Sequence, residues 1–374
     1  MPGRPRLTVV QLLPALQAGG VERSTIEIAD ALVRAGHRAV VVSAGGRLLS
    51  ALEATGAEHV MLDIGRKSPL TLRHAWTLRR LLVQLGPDIV HARSRLPAWI
   101  GWRALQGMPP ARRPRFVTTV HGLNSPSRYS AIMARGETAI CVSRTVRDYV
   151  LGHYPRTDPE RLRVVARGID PDAFPRRPHP DRDARAQAAA EFPALGGDGP
   201  LLLLPGRGTR LKGHADALTL LATLRADGLD ARLWMPGARA AGRERYLEEL
   251  DREAAALGIQ GALAMTQATD RVAGAYAASD LVLQLSRKPE AFGRTVVEAL
   301  STGRPVLGWD HGGVGELLRE LQPAGAVAPF DPVALAARAR QWLQTPPAPP
   351  ATIPYTLSAM QDATLAVYDE LHSR

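Results

Sequence analysis

Two stretches of this chain carry side chains whose types and spacing suit a phosphorylated, hydroxyl-rich ligand. Residues 201–213 read LLLLPGRGTRLKG. An apolar run passes into a glycine-containing loop, and a helical pattern starts near His214. Arg207 and Lys212 therefore fall at the carboxyl end of a strand, where phosphates bind in open parallel sheets. Arg207 offers a two-pronged grip on phosphate oxygens and Lys212 a point charge. The spacing is not that of a P-loop, and the third glycine of a dinucleotide fingerprint is missing. A solvated basic loop is the bland alternative. Against it, this chain writes its cations as arginine and places lysine only at 67, 212 and 288.

Residues 286–300 read SRKPEAFGRTVVEAL. A strand ends near Leu285 and a helix begins near Gly293. The amides of Gly293, Arg294 and Thr295 are then free at a helix start, whose dipole favours an anion. Glu290 lies in the loop before that start, and Glu298 just over one turn inside. Carboxylates beside a phosphate-binding helix start make sense if they accept hydrogen bonds from sugar and ribose hydroxyls. For Glu298 alone, a solvated helix face is the alternative. No Asp-x-Asp pair stands at a strand end, and no His/Cys/Asp cluster has ligand spacing. The charge of a bound phosphate is thus left to Arg207, Lys212 and a helix N-terminus, without a metal.

Together these motifs resemble glycosyltransferase family 4, a retaining group with the GT-B architecture. The family's Glu, seven residues, Glu motif is matched by Glu290 and Glu298. Its Gly-Arg, four residues, Lys-Gly motif is matched by Gly206-Arg207 and Lys212-Gly213. The resemblance covers essentially the whole chain. It implies that Arg207 and Lys212 neutralise the diphosphate of a UDP-, GDP- or ADP-sugar, a substrate and not a cofactor. It implies that Glu290 contacts the transferred sugar and Glu298 the ribose. The backbone from Phe292 through Gly293 and Arg294 to Thr295 would touch sugar and phosphate. Gly19 and Gly20, within AGGVER at 18–23, resemble the glycine loop that lets backbone approach donor phosphates. His121, after Val120, resembles a histidine that contacts the donor sugar and is the catalytic-site candidate of the first half. His91 belongs to a similar strand-end segment, beyond which Arg93 or Arg95 would face the acceptor. Residues 142–144 resemble the family's Ser/Arg helix start, and 310–313 with Glu316 a loop near the donor. Arg167-Gly168-Ile169-Asp170 departs from the Asn-Gly-Val-Asp of many relatives. Arg167 adds positive charge there and is a further acceptor-side candidate. The segment at 93–99 and this departure look like a proteobacterial branch tied to lipopolysaccharide or other surface-polysaccharide assembly. Transfer would retain configuration by front-face attack; double displacement through Glu290 is the open alternative.

These side chains must be positioned by alternating strands and helices. Short apolar runs fall at 7–13, 39–43, 60–64, 89–91, 116–121 and 139–142, with helical patterns at 22–35 and 70–85. Short strands apolar on both faces imply a parallel sheet covered on both sides. The pattern restarts after residue 200, with strands at 201–204, 231–235, 262–265, 281–285 and 305–309. The expected organisation is an α/β chain of two Rossmann-like doubly wound domains facing across a cleft. An acceptor-binding domain would span 1–172, a Pro/Gly-rich linker 173–199 with a short helix at 183–191, and a nucleotide-sugar domain 200–350. A last helix at 357–371, within 351–374, is free to pack back on the first domain.

The net charge of +11 is unevenly spread. Residues 1–172 hold 25 Lys+Arg against 13 Asp+Glu, so the remainder is close to neutral. This asymmetry suits an anionic partner, such as a membrane surface or phosphorylated acceptor; an arginine-rich genome explains it equally. In 66–84, Arg73, Trp76 and Arg80 share a helical face suited to anionic headgroups, with Leu78, Leu81, Leu82 and Leu85 inward. No apolar run reaches membrane-span length. Arg4 and Arg6 before an apolar stretch have the outline of a signal peptide, but Pro14 and the Gly19-Gly20 turn read as strand, loop and helix. A single cysteine, Cys141, precludes an intrachain disulfide and fits a reducing compartment. The expectation is a cytoplasmic enzyme, peripheral at the inner membrane face, acting on a glycan or lipid-linked acceptor. Competing readings are a nucleotide-sugar epimerase or phosphorylase on the same architecture, or a basic membrane- or nucleic-acid-binding protein with a decayed site. The intact Arg207, Lys212, Glu290 and Glu298 argue against decay, and nucleic acid is not the expected partner.

Overall fold

The computed structural model describes residues 6–17, 19–66 and 68–374; Arg4, Ala18 and Lys67, noted above, lie outside them. Contacts divide the chain into two units, residues 1–167 with 357–374, and 168–356. The first holds strands β1 (Thr8–Leu12), β2 (Arg38–Ser43), β3 (Glu58–Met61), β4 (Ile89–Ala92), β5 (Arg115–Val120), β6 (Thr138–Cys141) and β7 (Leu162–Val164). Its helices are α1 (Gly20–Arg34), α2 (Leu49–Glu53), α3 (His74–Leu85), α4 (Arg95–Gln106) and α5 (Arg144–His153). The second holds α6 (Arg182–Glu191), then β8 (Leu201–Leu203), α7 (His214–Ala226), β9 (Arg232–Pro236), α8 (Glu244–Ala256) and β10 (Leu263–Thr266). It continues through α9 (Val272–Ala278), β11 (Leu281–Gln284), α10 (Arg294–Thr302), β12 (Val306–Trp309), α11 (Gly312–Leu321), β13 (Ala326–Val327) and α12 (Pro332–Gln344). The last helix, α13 (Leu357–His372), returns to the first unit.

Among the described residues both sheets are wholly parallel, ordered β3-β2-β1-β4-β5-β6-β7 and β10-β9-β8-β11-β12-β13. Each reverses direction once, between β1 and β4 and between β8 and β11. Such a switch point opens a crevice at the carboxyl ends of its two strands. The loops after β8 and β11 carry Lys212 and Glu290, which explains why residues far apart in sequence can meet. The same device ties both switch points at the opposite end. Asp88, just before β4, accepts from the Thr8 amide at 2.7 Å, and Asp280, just before β11, accepts from the Leu201 amide at 2.7 Å.

The expected linker is corrected. The second unit begins at Gly168 and not at 200, because residues 168–199 are packed onto it. Phe174 and Leu195 are buried, α6 lies on α9, and Ser301 Oγ donates to the Phe174 carbonyl. Arg304, fully buried, donates to the carbonyls of Arg177, Pro178 and Ala277 at 3.3, 2.5 and 2.7 Å. Burial lowers its pKa to about 10, so it stays charged at neutral pH. Arg304→Ala leaves these carbonyls unsatisfied. The expected loss, about 3 kcal/mol in denaturant unfolding, reflects several charged hydrogen bonds lost at once.

α13 packs against α1, burying Met360, Leu365, Val367, Tyr368 and Leu371 in the first core. Tyr368 OH lies 2.6 Å from His91 Nδ1, and His91 Nε2 lies 2.6 Å from Thr119 Oγ1. His91 is therefore a core residue with both nitrogens partnered. Burial holds it well below the usual histidine range, so it is neutral.

Candidate functional site

In the second unit the loop at 205–213 is threaded between neighbouring strand ends. The amides of Gly206 and Gly208 donate to the carbonyls of Pro236 and Gly237, both at 3.0 Å. Gly213 has φ 74°, and a Cβ there would lie 2.1 Å from the Leu285 carbonyl oxygen. Only glycine lets the chain pass so close to the end of β11 and deliver Lys212 beside it.

Lys212 Nζ lies 2.5 Å from Glu290 Oε1. Ser286 Oγ is also 2.5 Å from that oxygen and 2.9 Å from Gln284 Oε1; its one proton can serve one of the two at a time. The Glu290 carbonyl accepts from the Gly313 amide at 2.7 Å, and His311 Nε2 donates to the Ser286 carbonyl at 2.8 Å. The glycine loop at 312–313 fixes this turn by close approach. A Cβ on Gly312 would lie 2.8 Å from the Glu290 carbonyl oxygen, and one on Gly313 2.5 Å from that of Phe292.

Gly293, at φ 109°, opens α10, which places the Arg294 and Thr295 amides in the first turn of the helix, at the positive end of its dipole. Phe292 beneath it is buried, edge-on to Tyr355 at 5.6 Å. Glu298 is not a solvated face. Its Oε2 accepts from Tyr276 OH at 2.9 Å, and Oε1 lies 3.4 Å from Arg294 Nε. Burial and then the Glu298 charge push the Tyr276 phenol well above its usual range, so it remains a donor. Arg207 is exposed, projecting from the same loop as Lys212. The arrangement sets cations and a helix start beside two oriented carboxylates. Among the described residues, no group of three or more His, Cys, Asp and Glu is placed to hold a metal ion.

In the first unit, Gly19 (φ 156°) and Gly20 open α1 after β1. His121 follows β5, with Nδ1 2.5 Å from an Arg167 guanidinium nitrogen. Burial, and then Arg167, Arg93 and His91, keep His121 well below the ordinary histidine range. Arg93, one of the two arginines expected to face the acceptor, points into the protein instead. It is buried and donates to the Ser24 carbonyl at 2.7 Å, bracing α1. Arg95 is half-buried, donating to Ser130 Oγ at 3.1 Å.

Sequence reasoning missed Tyr276 and Ser286, whose roles depend on contacts across the sheet. It also missed a cavity of about 970 Å³ at the ends of β9 and β10, lined by Arg239, Thr266, Gln267 and Thr269 among others. That cavity shares no lining residue with the Lys212–Glu290 cluster. Between the two, the chain passes closely at Gly237, where a Cβ would lie 2.9 Å from the Gly206 carbonyl oxygen.

Comparison with known proteins matches the model for Glycosyltransferase Family 4 over residues 18–173 and that for Glycosyl transferases group 1 over residues 187–356. The chain is similar to D-inositol 3-phosphate glycosyltransferase of Jonesia denitrificans, 29% identical over 251 residues, covering 61% of this chain and 56% of that protein. The Streptomyces coelicolor protein of the same name is 28% identical over 285 residues, covering 69% and 62%. The match thus spans under two thirds of these curated relatives. Among solved structures, a Rickettsia africae glycosyltransferase superposes with TM-score 0.82 at 25% identity, covering 98% of each chain. The Anabaena protein HepE, solved with UDP and glucose, gives 0.76 at 19% identity, covering 98% and 96%. WaaG, a glycosyltransferase involved in lipopolysaccharide biosynthesis, gives 0.64 at 20% identity, covering 98% and 96%. With both family models matched in order, and two parallel Rossmann-like sheets of the GT-B class beneath them, this chain belongs to glycosyltransferase family 4.

Proposed function

We propose that this glycosyltransferase moves a sugar from a nucleotide-sugar donor to a glycan or lipid-linked acceptor, with retention and without a metal. The observation that carries the reading is the meeting of Lys212 and Glu290 at 2.5 Å beside the start of α10. Lys212, Arg207 and the α10 amides hold the diphosphate and stabilise it as it departs. Glu290 accepts from sugar hydroxyls, and Glu298, oriented by Tyr276, from the ribose. The base takes the cavity beyond Gly237. In the first unit, His121 touches the transferred sugar, and Arg95 and Arg167 serve the acceptor side. The UDP bound by HepE supports a nucleotide donor. The role named for WaaG supports assembly of lipopolysaccharide or another surface glycan, at the cytoplasmic face of a membrane.

The test is a screen of UDP-, GDP- and ADP-sugars for a raised melting temperature, followed by mass detection of glycosylated acceptor. The expected result is stabilisation by one nucleotide class and transfer that survives EDTA. Loss on chelation with rescue by Mg or Mn overturns metal independence. Release of a rearranged sugar nucleotide, with no acceptor modified, supports an epimerase instead.

Membrane docking is a second element of this proposal. Trp76 is 55% exposed, with the Arg80 guanidinium 3.4 Å over its ring, and Leu70, Leu72 and Val83 are exposed on the same segment. Leu78 and Leu82 face the core, while Leu81 and Leu85 are half-buried. Among the described residues no helix is long and apolar enough to cross a membrane. The protein is expected to float with anionic liposomes at low salt and to lose most of that binding in Trp76→Ala/Arg80→Ala. Absence of flotation from the unaltered protein rejects the surface.

A further inference from the structure

His121 stands one residue past β5, and its Nδ1 is within 2.5 Å of Arg167. A guanidinium has N–H donors and no acceptor, so Nδ1 must be the accepting atom. An imidazole that accepts at Nδ1 is neutral and carries its proton on Nε2. That Nε2 is buried and, among the described residues, has no hydrogen-bond partner. Buried donors are almost always satisfied, and an exception asks for a ligand. His91, the neighbouring histidine, shows the contrast, since both of its nitrogens are used within the protein. An asparagine in place of Arg167 could donate or accept and so would leave the ring's tautomer open. Arginine does not.

We propose that Arg167 is a positioning residue that fixes His121 as an Nε2–H donor, and that the ligand atom His121 meets is an oxygen acting as acceptor, such as a sugar hydroxyl or ring oxygen. Arg167 acts through His121. The charged and titratable groups acting on that ring are Arg167, Arg93 and His91, none of them acidic. With burial they disfavour a second ring proton, so the ring keeps the single proton on Nε2. Only the identity of the oxygen rests on the transferase reading.

The tautomer is read by long-range proton–nitrogen NMR on the 15N-labelled full chain, with His121 assigned by its loss in His121→Gln. The expected spectrum shows a proton on Nε2 alone. Arg167→Asn is expected to populate the Nδ1–H form. Arg167→Lys, whose ammonium likewise only donates, is expected to keep the single tautomer. In transfer assays Arg167→Asn should lower kcat about tenfold, the worth of one hydrogen bond, with little change in KM, and Arg167→Lys should recover most of it. A proton on Nδ1 in the unaltered protein, or an unchanged tautomer in Arg167→Asn, overturns the proposal. Should Arg167→Asn not fold, the unaltered protein and Arg167→Lys still decide. The NMR measurement needs no donor or acceptor, so an unaltered protein without transferase activity refutes the proposed function and leaves this test standing.

Discussion

Lys212→Ala is expected to lower transfer by about a thousandfold while the protein unfolds at nearly the same temperature. Removing one group that stabilises developing charge in a water-poor site typically costs ~10²–10³ in kcat. Lys212 has no role in the core: its side chain is 31% exposed and its partner is Glu290. Glu290 keeps Ser286 as a donor, so the substitution does not strand a buried carboxylate. Stability should therefore change by no more than ~0.5 kcal/mol, the usual range for a surface site. Arg207→Ala, exposed in the same loop, should act in the same direction and weaken donor binding. Steady-state rates at saturating donor, beside a melting curve, check both. Full activity in a purified Lys212→Ala enzyme would sink the assignment of this lysine to the diphosphate.

Gly213→Ala is expected to cost both stability and activity. Two effects add at this residue. Its φ of 74° is strained for any side chain, and a Cβ would sit 2.1 Å from the Leu285 carbonyl oxygen and 2.7 Å from Leu285 Cβ. The dihedral strain alone costs ~1 kcal/mol, and the backbone clash raises the loss to ~3 kcal/mol. Relief of the clash moves the loop away from β11 and takes Lys212 with it. A displacement of about 1 Å at a charge-handling group is enough for a hundredfold loss of rate. Gly228→Ala provides the matched control, because Gly228 also has positive φ (85°) but nothing within 4 Å of its Cβ position. It should show the strain without the loss of transfer. Equal kinetics for the two variants would show that close packing of this loop is immaterial to the reaction.

Much of this was legible in the sequence because the informative features are local. Strand-loop-helix transitions at 201–213 and 281–300 are short-range patterns, and both expected helix starts, near His214 and Gly293, agree with α7 and α10 within a residue. What was not legible depends on residues remote in the chain. The stretch at 173–199 reads as a linker because prolines and glycines break every periodicity, yet Arg304, more than a hundred residues later, satisfies its carbonyls. Arg93 reads as an acceptor-side cation because it stands just past a strand end. Only the fold reveals that it supports α1. Tyr276 lies in an apolar-looking helix, and nothing nearby announces that its hydroxyl reaches Glu298. The strand β13, two residues long, is too short to have a period at all.

The return of α13 to the first unit has a consequence for synthesis. As the nascent chain leaves the ribosome, β1 through β7 emerge long before the helix that covers their core. Until residues 357–372 follow, His91 lacks the Tyr368 hydroxyl and α1 lacks the apolar face packed on it. The second unit, continuous in sequence, can mature in the interval. The half of the protein translated first is thus the half completed last, and a product cut short before residue 357 would be missing part of a core belonging to the beginning of the chain.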